Sequence, residues 1–170
     1  MKTRRILAGL SLACCLAASA AAQGGPEAKA DFSGTWVLDA SKSEGLPPGV
    51  EQTLVVAQQG DRVEAQNTTK GPQGEQVIKD SYVLDGKEAD FTPTFVGGGT
   101  GKGRRTSTWA ADGRAFDVTE QATVPGDGGE EQLKATRRWS LSADAKALTI
   151  EITLNGPMGE YKSRRLFVKK

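Results

Sequence analysis

Three charged residues stand where an apolar strand face should continue: Arg105, Glu120 and Arg137. Phe116, Val118, Ala122 and Val124 alternate as one apolar face broken at Glu120, and Leu133, Ala135, Trp139 and Leu141 form another broken at Arg137. A charge pointed into a core is costly unless it is paired. Two chemistries are open to the trio. It is either an internal Arg–Glu–Arg network that satisfies itself, or a polar anchor for an anionic ligand, with Trp109, Phe116 and Trp139 lining the pocket around it. The excess of one arginine over the carboxylate is what leaves room for an anion.

Other reaction chemistry finds little material. The chain has no histidine, so it lacks the commonest general base and metal ligand. Its two cysteines, Cys14 and Cys15, fall inside an N-terminal export signal, so no catalytic thiol, thiolate metal site or disulfide is expected beyond it. Val96 to Gly103 (VGGGTGKG) is glycine-rich, yet it misses the first glycine of a phosphate loop and has Gly103 where a Ser or Thr should meet magnesium. It reads as a flexible loop. Neither Gly-x-Ser-x-Gly nor Ser-x-x-Lys occurs. The carboxylates of Glu130 and Glu131, Asp80 and Asp85, and Glu88 and Asp90 read as solvated faces and turns. The Arg104-Arg105, Arg137-Arg138 and Arg164-Arg165 doublets put one residue on each side of a strand. Asn67-Thr68-Thr69 matches an N-glycosylation acceptor. The expectation is a protein without enzymatic activity, cofactor or metal.

The elements that must position the trio are short alternating strands, expected at 34–39, 51–58, 62–69, 75–84, 87–93, 103–111, 114–124, 130–142, 146–154 and 160–169. Asp85-Gly86, Asp112-Gly113, Asp144-Ala145 and Gly60-Asp61 punctuate them as hairpin turns. Ala145 departs from the glycine rule and should use another turn or carry strain. A two-residue turn at Asp112-Gly113 sets Trp109 opposite Phe116, Ser107 opposite Val118 and Arg105 opposite Glu120. One at Asp144-Ala145 sets Leu141 opposite Leu148, Trp139 opposite Ile150 and Arg137 opposite Ile152. Joining the two hairpins places Phe116 near Trp139, so strands from about 103 to 154 share one face. A short helical turn is expected around Asp39 to Gly45. Eight to ten antiparallel strands in an up-and-down meander, with no helix to cover a sheet, favour closure into a barrel. A β-sandwich is the runner-up.

Met1 to Arg5, the apolar run from Ile6 and the small residues Ala17 to Ala22 read as a cleavable signal peptide over 1–22. A polar leader, 23–30, then precedes a single domain, 31–170. Periplasmic or secreted localisation follows, and no membrane span remains after cleavage. Three of the 22 basic residues leave with the signal, which takes the net charge from +1 to about −2. That excludes the basic excess of a nucleic-acid binder.

Phe32-Ser33-Gly34-Thr35-Trp36, the run Phe32 to Ser43 and Trp139 to Asp144 resemble the bacterial secreted lipocalin-like proteins, which are calycin-type barrels. The resemblance implies that Trp36 plugs one barrel end beneath an arginine of the last strand, Arg164 or Arg165. It also implies a binding protein for a small, partly apolar or anionic ligand. The alternative is a secreted protein-interaction module, such as a protease inhibitor, presenting the leader or the 97–103 loop. Oligomeric state is left open.

Overall fold

The computed structural model describes residues 29–72, 74–93, 100–126 and 129–170. The expected signal, most of the leader and residues 97–99 of the glycine-rich loop lie outside the described residues. The described chain forms β1 (Gly34–Leu38), β2 (Glu51–Gln59), β3 (Arg62–Gly71), β4 (Gly74–Val83), β5 (Asp85–Phe91), β6 (Lys102–Trp109), β7 (Ala115–Gly126), β8 (Gly129–Leu141), β9 (Ala147–Gly156) and β10 (Gly159–Lys169). One 3-10 turn, Ala40–Lys42, follows β1 in the expected place.

All ladders are antiparallel, in the order β4-β3-β2-β1-β10-β9-β8-β7-β6-β5. One continuous sheet wraps into a nearly closed barrel, which rules out the sandwich. Among the described residues β4 and β5 share no ladder, so the barrel has one gap. Sequence patterning predicts a hairpin there, at Asp85-Gly86. Instead Leu84 N–H donates to the Asp61 carbonyl at 2.8 Å, Asp85 caps the Lys87 N–H at 2.9 Å, and Gly86 takes φ 74°. The dipeptide makes a bulged corner between Asp85 and Glu88 that sends β5 to β6 rather than back along β4.

The register that orders the trio is present. Trp109 faces Phe116, Arg105 faces Glu120, Phe116 faces Trp139, and Trp139 faces Ile150. The turns that set it are longer than expected. Ala110 N–H donates to the Ala115 carbonyl and Ser142 N–H to the Ala147 carbonyl, both at 2.9 Å, enclosing four-residue loops centred on the expected dipeptides. Lengthening a hairpin by one residue on each side preserves its midpoint and therefore its pairing. Gly113 at φ 64° and Ala145 at φ 53° occupy equivalent left-handed positions. Ala145 thus adopts the glycine conformation and carries the strain its side chain implies.

The core fills the closed end. Phe32, Trp36, Val63, Phe116, Leu148 and Phe167 are essentially inaccessible. Phe32 packs edge-on to Phe116 with ring centroids 5.0 Å apart, and Phe116 stacks on Trp139 at 5.2 Å. Trp36 plugs this end, its Nε1 donating to the Phe32 carbonyl at 2.9 Å. The cation above it is neither Arg164 nor Arg165. Lys169 lies directly opposite Trp36 in the β1–β10 ladder, and its Nζ sits 5.1 Å from the ring centroid. The arginines are several residues nearer the open end, too far along β10 to cover the indole.

Candidate functional site

The open half of the barrel holds a cavity of about 350 Å³. Its apolar wall includes Leu54, Ile78, Phe91, Leu133, Ile150 and Leu154. Arg105, Glu120, Arg137 and Trp139 line it together, at the positions the strand parity assigned them. Phe116 does not. It lies beneath Trp139 in the core. Trp109 is also elsewhere, half-buried at the closed end, where its Nε1 donates to Asp61 at 2.9 Å and Lys29 stands 5.3 Å from its ring. Both share the face expected of them, but they lie too far towards the closed end to touch the cavity.

The trio converges. Arg105 Nε donates to Glu120 Oε1 at 2.6 Å, and Arg137 Nη1 donates to Glu120 Oε2. A fourth member, Asp80 of β4, accepts from Arg105 Nη2 at 2.7 Å, while Arg105 Nη1 donates to the Ser81 carbonyl at 3.0 Å. Arg105 therefore reaches from β6 to β4 across the unpaired gap. Its guanidinium lies between the rings of Tyr82 and Phe91, 4.6 and 4.2 Å from their centroids. Two arginines and two carboxylates leave the cluster neutral. The expected arginine excess is cancelled by Asp80, which is not the solvated residue that its sequence neighbourhood implied. The signal was there: Asp80 interrupts the alternating Ile78, Tyr82 and Leu84 face as Glu120 interrupts its own.

Burial opposes the charge of Arg105 and Arg137. The carboxylates of Glu120 and Asp80 oppose this loss, and both arginines stay above the ordinary guanidinium value. Burial pushes the Tyr82 hydroxyl well up, with Asp80 adding to the effect, so it stays protonated. Arg165 differs. Burial pulls it below the ordinary guanidinium value, and nearby Arg137 pushes the same way, with Tyr161 offsetting only part. It has no carboxylate partner among the described residues. Its Nη1 makes a long contact to Gln52 Oε1 at 3.4 Å and the Tyr161 side chain also interacts with it, but its Nε has no acceptor among the described residues. Sequence reasoning left Arg165 as a rival for Trp36, although its place between inward-facing Ser163 and Phe167 already aimed it inside.

Arg104 points outward to Glu88 at 2.6 Å and Arg138 to Asp117 at 2.9 Å, so each doublet divides as strand parity requires. The sequon residue Asn67 lines the cavity, where no glycan could be carried. Among the described residues no group of three His, Cys, Asp or Glu side chains converges as a metal would require. No helix among them is long and apolar enough to cross a membrane.

No protein family matches the chain, and no curated protein does. Solved structures similar to it include a zebrafish ileal bile acid-binding protein complexed with cholic acid. That structure is 19% identical, with 82% of this chain and 98% of that one covered and a TM-score of 0.49. Another is secretory abundant heat soluble protein 4 from Ramazzottius varieornatus, 15% identical over 86% of this chain and 96% of that one, with a TM-score of 0.45. Both are distant.

Proposed function

We propose that this is an exported, non-enzymatic binding protein for a small, partly apolar ligand that carries an anionic group. The observation that carries the reading is Arg165, a partly buried guanidinium on the apolar-walled cavity, with a buried Nε that has no acceptor and no carboxylate partner among the described residues. An unpaired buried cation is costly, and an anion placed against it removes that cost. The cavity has the size of small-molecule sites and their composition, apolar walls with a few fixed polar groups. Arg105 and Arg137 are already committed to Glu120 and Asp80, so they shape the polar end of the cavity rather than offer a free charge. Export rests on the N-terminal sequence 1–22 alone, and the periplasm or the cell exterior follows from it.

The test is calorimetric titration of the mature protein with saturated acids of ten to fourteen carbons and the matching alcohols. The acids should bind more tightly than the alcohols. Arg165→Met should erase that difference without lowering thermal stability, because it removes an unpaired charge. Acids and alcohols binding equally, or no binding of either, would overturn the reading.

A further inference from the structure

Three buried polar atoms on residues that line the cavity have no partner among the described residues: Arg165 Nε, Trp139 Nε1 and Asn67 Oδ1. Trp139 is only 3% exposed, so its N–H has little access to bulk solvent. The first two atoms can only donate. They share one row of the inner face, with Ile150 between them, since Trp139 faces Ile150 and Ile150 faces Arg165. Asn67 is placed otherwise. It sits on β3, separated from β10 by β1 and β2, and its ladder neighbours are Leu54 and Ile78. Its direct neighbours across both ladders are apolar, and the buried Gln52 amide on β2 is already bonded to Thr69.

A ligand with one anionic end and a bare hydrocarbon body could satisfy the Arg165 side of the cavity. It would still press hydrocarbon against Asn67 and leave the buried amide oxygen without a partner. A hydroxyl both donates and accepts, so it serves either end of an amide. We infer that the ligand is a hydroxylated acid, with its anionic group towards Arg165 and Trp139 and a hydroxyl on its apolar skeleton towards Asn67. This rests on the binding-protein reading above. A site built to pair a hydroxyl discriminates sharply against the analogue without one, because its own polar group is otherwise left unpaired.

The experiment compares dodecanoate with a positional series of monohydroxydodecanoates by calorimetry. The proteins are the unsubstituted chain, Asn67→Leu, Asn67→Val and Arg165→Met, each checked for folding by circular dichroism. At least one hydroxy acid should bind tenfold or more tightly than dodecanoate. Either Asn67 substitution should abolish that preference, weakening the hydroxy acid and tightening dodecanoate, whereas Arg165→Met should weaken both acids. Dodecanoate binding that depends on Arg165, with no gain from any hydroxyl, would overturn the inference and leave the binding function standing. A hydroxyl preference that survives in both Asn67 variants would do the same. Failure of every acid to bind would overturn both.

Discussion

Replacing Glu120 with glutamine keeps its shape and removes one charge from the centre of the barrel. Glu120 is 5% exposed at its side chain and bridges two guanidinium groups, so the substitution acts on both at once. Arg105 retains Asp80 and the Ser81 carbonyl, but Arg137 loses its carboxylate. Breaking a buried ion pair on one side costs about 3–5 kcal/mol. Arg137 is 28% exposed and keeps some access to water, and the glutamine carbonyl still accepts one bond, so about 3 kcal/mol is expected here. Asp80→Asn should cost far less, about 1 kcal/mol, because Asp80 is 31% exposed and Arg105 keeps Glu120.

Urea unfolding followed by tryptophan fluorescence measures both, with an unchanged m-value as the control that the unfolded state is unaltered. The double variant Glu120→Gln/Arg137→Met restores neutrality, so it should recover at least half of the single-site loss. A Glu120→Gln cost below about 1 kcal/mol, or a double variant no more stable than the single one, would refute the view that charge balance holds this cluster together.

Two further outcomes test the local geometry. Ala145→Gly should stabilise the domain by about 0.5–1 kcal/mol in the same urea assay, since glycine adopts φ 53° without the alanine penalty; a loss of stability would show that the loop is not left-handed there. Bonds from Lys29 and from the Trp109 indole hold the Asp61 carboxyl below the usual carboxylate range. Because the folded value is the depressed one, this contribution is complete above about pH 3.9 and is lost as pH falls through the folded pKa. The Trp109 indole N–H resonance should therefore titrate with a midpoint below about 3.9, and Asp61→Asn should abolish that titration. A midpoint at or above that value counts against the contact.

The part of the barrel readable from sequence was the part governed by parity. From β6 to β9 the hairpin midpoints and the apolar alternation agree, and a loop that grows symmetrically cannot disturb the pairing. That is why Arg105, Glu120, Arg137 and Trp139 could be placed together without knowing the loop type. Parity does not fix how far along a strand a residue sits relative to a distant strand. Trp109 and Phe116 lie on the expected face at a different depth, and Lys169 covers Trp36 where the resemblance implies Arg164 or Arg165. The gap was illegible for a different reason. Asp85-Gly86 has the composition of a tight turn, and only contacts from outside the local segment, such as Leu84 to Asp61, convert it into a corner. Asp80 was hidden with it, because its partner reaches across that gap.

Counting charges across the β4–β5 gap, rather than along adjacent strands, changes which inward-facing arginine is free to act. With three members the cluster has a spare arginine, and either Arg105 or Arg137 could meet an anion. With Asp80 included it has none: releasing Arg105 would leave Asp80 unpaired, and releasing Arg137 would leave Arg105 alone to balance two carboxylates. Recruiting those arginines would therefore spend in one place what it gained in another. Arg165 has no such obligation. It is partly buried with no carboxylate partner among the described residues, and burial pulls its pKa below the ordinary guanidinium value. The same feature makes it a liability for stability and the most favourable place in the barrel for an anion. Arg165→Met should therefore separate folding from binding, whereas substitution of Arg105 or Arg137 would disturb both.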